Sequence, residues 1–355
     1  MKNKLHLGFL SVLMLFALTV PSFTQQTFNT TIYFDYSFFL SNEGPRTSGD
    51  LTNTFNFRRA YFTYENKIND NLKFRFRYDA DNTANITSIT ANWVDETIST
   101  KKDDKLRPFL KHLYLEYSNL IPNSKIKIGM SETLTFKTAE DRWGYRSVAK
   151  TLVDGYKDVT GVDIDASSAD IGISLTGSAT KYVRYGVMFY NGAGYSHKEA
   201  DKYKKVAAQL QLVPMPGLSL VGYYDYEKQN ETDAARTYKA DAYFEIVKNL
   251  TLAGEYVVYQ RDNYLVDDER YDVSGWSVFG RYIINPDKLS LFARYDSYEP
   301  NSLVDDNEFG LIIAGLDWAP FHGSMKLQPN IWFYSYKNSE LQDDIIFNLT
   351  FFLSF

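Results

Sequence analysis

The sequence predicts an all-β protein: a transmembrane antiparallel β-barrel of about 16 strands with an inward-folded third loop. Three observations lead to this fold class. Segments of about ten residues alternate between apolar and polar side chains. The connections between these segments alternate between short turns and long polar loops. The chain also holds 28 Tyr and 25 Phe, yet after residue 24 no apolar run approaches the length of a membrane-spanning helix. Aromatic residues dispersed in this way suit lipid-facing strands with interfacial girdles.

The first 24 residues have a different character from the rest. Lys2 and Lys4 precede an apolar run over residues 5–20, which is the layout of a secretory signal. We therefore predict a cleaved signal peptide over 1–24 and one barrel domain over 25–355. A transmembrane anchor is the alternative, but the run is shorter than the roughly 20 residues that span a bilayer. An exported chain without cysteine cannot rely on disulfides.

The connections between strands alternate in length. Six short ones, rich in the Gly, Pro, Asn and Asp that tight turns require, are predicted to face the periplasm; they lie near residues 67–71, 121–124, 214–217, 248–249, 285–288 and 321–324. Eight long polar ones are predicted to face outward; they lie near residues 41–52, 81–105, 133–157, 191–202, 228–235, 261–271, 300–307 and 337–343. Eight outer loops close sixteen strands. A soluble sandwich, the alternative, repeats about every 8–12 residues, whereas this chain repeats about every 21.

Basic residues keep to one phase of the strand alternation. In "NLKFRFRYDAD", Phe74 and Phe76 alternate with Lys73, Arg75 and Arg77. The same pattern recurs along the chain, and no helical segment is expected to cover the opposite face. Charges facing lipid would cost about 2–4 kcal/mol at mid-depth, so we predict that they line the lumen. A solvated face of a soluble sheet is the alternative for any one strand. The predicted lumenal basic column is Lys73, Arg75, Arg77, Lys125, Lys127, Arg184, Arg294 and Lys326.

Two features complicate this lumen. Arg58 and Arg59 are consecutive, so both can point inward only if the strand contains a bulge. Acidic residues are also expected to face the lumen, which opposes a purely cationic lining; they are Asp35, Asp225, Asp241, Glu245 and Glu255.

Between residues 134 and 159 the alternation fails. A sixteen-stranded barrel is wide enough for an open aqueous channel, so a segment that folds inward would be needed to narrow it. The predicted pore constriction consists of Lys137, Arg142, Arg146 and Lys150. The alternative is structural: Arg142, Arg146 and Lys150 pair with acids of the same loop and hold it folded, with Trp143 and Tyr145 as packing anchors. Those acids are Glu140, Asp141 and Asp154.

The stretch "WGYRSVAK" at 143–150, preceded by "KIKIGMSETL" at 125–134, resembles the phosphate-selective porin-like family, outer-membrane porins of the porin O/P type. The resemblance implies a sixteen-stranded porin whose third loop enters the lumen, with Arg146 and Lys150 in or near the constriction. It also implies a homotrimer and anions such as phosphate as solutes. The full arginine ladder of that family has no position-by-position match in this chain.

The chain ends in "FNLTFFLSF", an alternating segment whose apolar phase would face lipid. Its Phe355 resembles the signal that the barrel-assembly machinery recognises. We therefore expect location in the cell outer membrane, with lipid and lipopolysaccharide as surroundings.

Catalysis has little support in the sequence. His112, His197 and His322 fall on a strand, an outer loop and a turn, and no nucleophile-elbow, zincin or phosphate-loop motif is present. We predict no enzyme, no cofactor and no metal. With a formal net charge of −6 the chain is also not expected to bind nucleic acid.

The function predicted from these patterns is passive diffusion of small hydrophilic solutes, with a preference for anions. The first alternative is a non-conducting structural or adhesive barrel, whose lumen would be packed with large apolar or paired side chains. The second is a hydrolase carried on a barrel.

Overall fold

The computed structural model describes residues 25–41, 44–45, 52–81, 85–92, 97–103, 107–156, 164, 166–263, 269–321 and 323–355. The predicted signal peptide lies outside these residues and stays a prediction. Within the described part of the chain, no helix is both long and apolar enough to cross a membrane.

The strands are β1 (Gln25–Phe39), β2 (Asn53–Lys67), β3 (Leu72–Asp81), β4 (Asn85–Asn92), β5 (Thr97–Asp103), β6 (Arg107–Ser118), β7 (Ser124–Glu132), β8 (Ala169–Ser178), β9 (Val183–Tyr190), β10 (Lys205–Met215), β11 (Leu218–Lys228), β12 (Ala234–Phe244), β13 (Leu250–Asp262), β14 (Arg270–Asn285), β15 (Leu289–Glu299), β16 (Phe309–Trp318), β17 (Met325–Tyr336) and β18 (Asp344–Ser354). Sixteen of them form one closed antiparallel barrel, which confirms the predicted fold class. The other two, β4 and β5, form a separate hairpin within the second long connection. The sequence reading had treated that segment as loop.

The barrel closes where β1 pairs with β18. Asp35 lies opposite Thr350 in this ladder. At its end the amide of Phe355 donates to the carbonyl of Thr30 at 3.0 Å, and the amide of Thr30 donates to the carbonyl of Phe355 at 2.7 Å. Closure leaves no unpaired barrel edge.

Short and long connections lie at opposite ends of the barrel, here called the turn end and the loop end. The predicted alternation of short and long connections is confirmed, except that the short turn at residues 179–182 was not predicted. That turn contains no Gly, Pro, Asn or Asp. Instead the Thr180 hydroxyl accepts a hydrogen bond from the amide of Tyr182 at 3.1 Å, which is how Ser and Thr support a turn.

The two phases of each strand face different surroundings. Large apolar side chains are exposed on the outer face around the barrel; examples are Leu115, Phe189, Leu210, Trp276, Ile312 and Ile331. The predicted lumenal acids Asp35, Asp225, Asp241 and Glu255 are buried on the inner face. An apolar outer surface that continues around the barrel is typical of proteins embedded in a lipid bilayer.

A bulge in β2 accounts for the two consecutive arginines. Tyr33 pairs with Arg59, while the next residue, Phe34, pairs with Phe57, so Arg58 is the extra residue. Both guanidiniums reach inner-face carboxylates as a result: Arg58 contacts Asp35 and Arg59 contacts acids on β3. The sequence analysis predicted that both arginines could point inward only if β2 contained such a bulge.

The third long connection folds into the barrel, as predicted, and begins with a helix, which was not predicted. This helix, α1, spans Leu134–Trp143, and a short 3-10 turn follows at Leu152–Asp154. Phe136, Ala139 and Trp143 are buried at helical spacing, so one face of α1 packs on the barrel wall. Gly144 ends the helix in the left-handed region at φ 74°.

Candidate functional site

The third loop packs against one side of the barrel. We call the inward aromatic side chains of β13–β17 the aromatic wall; they include Tyr259, Tyr271, Phe279, Phe292, Tyr298, Phe309 and Tyr334, and all are buried. The Trp143 ring lies 5.2 Å from that of Phe279, and Tyr156 lies 5.1 Å from Phe309. The aromatic composition predicted rings on the lipid-facing side of the strands. That prediction is wrong for the aromatic wall, because alternation cannot show which face contacts lipid when both faces are apolar.

A buried ion pair anchors the loop on this side. The Arg294 guanidinium donates from Nε to Asp296 at 2.7 Å, and the two side chains are 2% and 0% exposed. The same guanidinium lies 5.2 Å above the Trp143 ring and donates to the backbone carbonyl of Lys150. Tyr156 donates to Asp296. Arg294 therefore faces inward, but it is covered by the loop.

A second anchor holds the loop from β2. Arg58, the bulged residue, donates to the carbonyls of Ser147 and Val148, both at 2.8 Å. The Ser147 hydroxyl donates to Gln328 on β17 at 2.6 Å. Residues 146–150 are therefore tied to both β2 and β15–β17.

Three of the four predicted constriction cations are paired. Arg142 contacts Glu245, Lys137 contacts Asp141, and Arg146 donates to Glu140 at 3.2 Å. Arg146 also lies 3.8 Å from Asp154, so its contacts are those of the structural alternative, whereas Arg142 pairs outside the loop, with Glu245. Lys150 is exposed, and none of the described carboxylates lies within ion-pair distance of it.

Glu140 is partly buried, with 30% of its side chain exposed. Burial raises the pKa of Glu140, and the negative charge of Asp154 raises it further, whereas Arg146 opposes both. Arg146 lies 3.2 Å from Glu140 and 3.8 Å from Asp154, which makes Arg146 part of the folded loop.

Opposite the aromatic wall, β2, β3, β6 and β7 present charged side chains in pairs, here called the charged wall. Lys73 contacts Glu65 at 2.8 Å, and Lys127 contacts Glu132 at 2.8 Å. The further pairs are Arg59–Asp81 at 3.0 Å, Arg75–Glu132 at 2.9 Å, Lys111–Asp79 at 3.1 Å and Lys125–Glu116 at 3.2 Å. The charges of this wall largely cancel.

Two members of the predicted basic column have no carboxylate within ion-pair distance among the described residues. Arg77 donates to the Thr63 hydroxyl at 2.8 Å and lies 4.8 Å from the Tyr61 ring centroid. Arg184, near the turn end of β9, is exposed to the lumen. Lys326, on β17, pairs with Asp317 at 2.7 Å.

A polar cavity of about 660 Å³ lies between α1 and the strands β6–β10, toward the turn end. Charged and neutral polar side chains line it, among them Glu116, Lys125, Lys127, Glu132, Lys137, Ser174, Thr176, Arg184, Gln209 and Gln211. The loop therefore occupies the aromatic side of the lumen and leaves this space on the other side.

The sequence reading missed Arg281, although its phase on β14 was available as a signal. Its Nε donates to the Thr251 hydroxyl at 3.2 Å, and its guanidinium lies against Gly144 at the end of α1. Glu245, predicted as a lumenal acid, follows β12 and pairs with Arg142.

The histidines do not converge where they are described. His112 is buried on β6, and His197 contacts Ser196 in the β9–β10 loop at 2.9 Å. His322 lies outside the described residues. Among the described residues, no group of three or more His, Cys, Asp or Glu is placed to hold a metal ion.

No family model and no curated protein matches the chain in sequence. Solved structures match it in shape. An anion-selective porin from Comamonas acidovorans superposes with a TM-score of 0.65 at 10% identity, over 94% of this chain and 100% of that one. OmpF of Salmonella typhi, in complex with daunomycin, gives 0.63 at 13% identity, over 93% and 97%. The outer membrane channel DcaP of Acinetobacter baumannii gives 0.61 at 11% identity, over 94% and 97%. At these identities the likeness establishes the fold: this chain is similar in architecture to outer-membrane porins.

Proposed function

We propose that this protein is an outer-membrane porin, a water-filled channel for passive diffusion of small hydrophilic solutes. The observation that carries the proposal is the polar cavity beside the third loop, inside a closed barrel whose outer face is apolar. A barrel with these two surfaces separates a wet interior from lipid. The porin-like fold of its structural neighbours supports the same function.

We further propose a preference for anions, with phosphate as one candidate. Arg77 and Arg184 lie on the inner face of the barrel, and Lys150 is exposed on the third loop; none has a paired carboxylate among the described residues. Uncompensated cations raise the local concentration of anions. The anion-selective porin among the structural neighbours is in keeping with this preference. The resemblance to phosphate-selective porins stays a prediction, because no family model matches.

Assembly belongs to the same proposal. A homotrimer fits a porin of this architecture, and one structural neighbour, OmpT of Vibrio cholerae, is described in a trimer form. Phe355 completes the β1–β18 ladder and is 67% exposed, so its ring is available to the barrel-assembly machinery. Deleting Phe355 should lower membrane insertion without affecting export, and normal surface yield would contradict this role.

The test is single-channel recording in planar bilayers under a potassium chloride gradient. The folded parent should conduct, and its reversal potential should report an excess of chloride permeability. Lys150→Gln should reduce that excess with little effect on folding, because Lys150 is exposed. Changing Arg142 and Arg146 together to Ser should also loosen the loop, since both residues are paired in it. Conductance without anion preference would contradict the proposed selectivity and support a general porin.

A second function, a non-conducting structural barrel, is favoured by one observation: the loop packs apolar side chains into the aromatic side of the lumen. The same recording separates the two functions. If folded protein, checked by heat-dependent mobility on gels, inserts but does not conduct, and liposomes carrying it do not swell in small sugars, the structural barrel is correct.

A further inference from the structure

Three polar side chains lie side by side on the inner face of β12, β13 and β14. In the strand ladders Asp241 lies directly opposite Glu255, and Glu255 lies directly opposite Ser277. Directly opposite residues point to the same face of a sheet, and neighbouring strands are about 4.8 Å apart. We call these three residues the β12–β14 row. In this order they are 6%, 4% and 1% exposed, so little of the row reaches water.

Each side chain of the row has a buried oxygen without a hydrogen-bond partner among the described residues. These atoms are Oδ1 of Asp241, Oε1 of Glu255 and Oγ of Ser277. Buried polar atoms in folded proteins are nearly always satisfied, because leaving one unsatisfied costs its full desolvation energy. Three such oxygens at neighbouring ladder positions point to a ligand that lies between the strands.

The row also carries one negative charge that is not balanced. Lys239 pairs with Asp241, and both side chains are buried. Glu255 has no basic side chain within ion-pair distance among the described residues. Two carboxylates and one ammonium leave a net charge of −1. Buried charges in proteins are paired or coordinate metal ions, since desolvating a lone carboxylate is costly.

The next acid in the same ladder shows the contrast. Asp296 on β15 lies directly opposite Ser277. Arg294 donates to both oxygens of Asp296, and Tyr156 of the third loop donates to one of them. Asp296 is therefore satisfied by its own partners, and the unsatisfied oxygens end at Ser277.

Helix α1 contacts the barrel wall beside the row. Tyr243 donates to Oδ2 of Asp241 at 3.1 Å, and the Arg142 guanidinium lies 5.7 Å from the centroid of the Tyr243 ring. On β14, Phe279 packs against Trp143 two residues beyond Ser277. A ligand bound in the row would therefore stabilise the part of the wall on which α1 rests.

We propose that Asp241, Glu255 and Ser277 bind one small monovalent cation, such as sodium, between β12 and β14. Hard cations take oxygen ligands, and a single positive charge balances the net charge of the row. The site holds only two acids, so it differs from the groups of three or more His, Cys, Asp or Glu that were sought among the described residues. It departs from the sequence-based expectation of no metal, and it does not depend on the proposed channel function.

The experiment measures urea unfolding in detergent micelles, in sodium chloride and in tetramethylammonium chloride of equal concentration. Tetramethylammonium carries the same charge but is too bulky to lie between adjacent strands. An ion that binds only the folded protein lowers the unfolded-to-folded ratio about tenfold for each tenfold rise in concentration above its dissociation constant. The parent should show this dependence with sodium and not with tetramethylammonium.

Three variants locate the effect. Glu255→Gln removes the unbalanced charge and should lose the sodium dependence. Ser277→Ala keeps the charge and removes one ligand, so the same dependence should begin at a higher sodium concentration. Glu132→Gln is the matched control, because it removes an inner-face carboxylate that already pairs with Arg75 and Lys127, and it should keep the sodium dependence. Ser277→Ala stays informative if Glu255→Gln fails to fold.

A parent that is equally stable in the two salts would overturn the site. If its stability instead rises in both salts as the pH falls, a proton on Glu255 balances the charge and no cation is bound. Sodium dependence that persists in Glu255→Gln would show a general salt effect and would also overturn the site. Unfolding in micelles requires no conduction, so each of these results leaves the proposed channel function standing.

Discussion

The aromatic wall and the charged wall face each other across one lumen and differ in what they contact: the first packs against the third loop, and the second consists of ion pairs. On the aromatic wall, Leu152, Val153 and Trp143 of the loop are fully buried among ring side chains. On the charged wall, Lys73, Lys127 and their partners remain partly exposed. Burying one large apolar side chain contributes about 1.5–3 kcal/mol, whereas an exposed ion pair contributes about 0–1 kcal/mol. Apolar packing therefore decides on which side the loop rests.

The comparison also explains where the cavity lies. Charged and neutral polar side chains line the cavity on the side of β6–β10, whereas the loop packs against the rings on the other side. The loop also accepts hydrogen bonds from Arg58 on β2, so the cavity that remains is polar and lies to one side of the lumen.

The largest effect should come from the buried pair under the loop. Arg294→Met leaves Asp296 buried without its partner, and we expect a loss of about 3–5 kcal/mol in the free energy of unfolding. Lys326→Met, on β17, is the matched control, because its pair with Asp317 is partly exposed; it should cost about 0–1 kcal/mol. Urea unfolding in detergent micelles measures both. Equal losses in the two variants would mean that burial does not distinguish the two ion pairs.

Leu152→Ala tests the apolar contact itself. Leu152 is 0% exposed, and its truncation should cost about 3 kcal/mol through lost burial and the cavity left behind. The loop should then fluctuate more, seen as noisier single-channel current. Leu115→Ala, on the outer face, is the control. If Leu152→Ala is as stable and as quiet as the parent, the aromatic wall does not hold the loop.

The hydrogen bonds from Arg58 on β2 should matter less. Arg58→Gln removes charge-assisted hydrogen bonds to the carbonyls of Ser147 and Val148, at a cost of about 2 kcal/mol. Amide hydrogen exchange over residues 147–149 should rise with it. Arg77→Gln loses a hydrogen bond to the Thr63 hydroxyl and a contact with the Tyr61 ring, neither of them in the loop, and should leave that exchange unchanged. The same exchange in both variants would remove Arg58 as an anchor.

The smallest effect concerns the loop end above β9–β12, between the two walls. Hydrogen bonds from Lys202, Tyr203 and Lys228 lower the pKa of Glu231 from 4.5 to about 2. A lowered carboxylate pKa adds stability above pH 4.5, which is lost as the pH falls through about 2. Carbon-13 titration of labelled glutamates should show a midpoint far below 4.5 that disappears in Glu231→Gln. A midpoint at the ordinary value would show that the three donors do not hold this loop in solution.

Much of the architecture was predictable from local patterns. Period-two alternation indicated the strands, and connection length indicated the two ends. The β2 bulge was predictable as a condition, because Arg58 and Arg59 could share one face in no other way. Helix α1 was missed because its spacing of buried residues extends over only ten positions. The phase of Arg281 on β14 indicated an inward side chain, but its partners were not predictable, because Thr251 and Gly144 belong to other elements.

The sequence by itself determined the barrel and its sixteen strands, because these depend on alternation and turn composition. The entry of the third loop into the lumen was predicted from the width of such a barrel and from the resemblance at 143–150. It also supplied both the cations and the acids of the interior. Only the tertiary structure decided which of them pair, since Arg142 and Glu245 are more than a hundred residues apart and meet by closure of the barrel. Closure likewise set the aromatic wall under the loop, because strands distant in sequence present their inward rings to one segment.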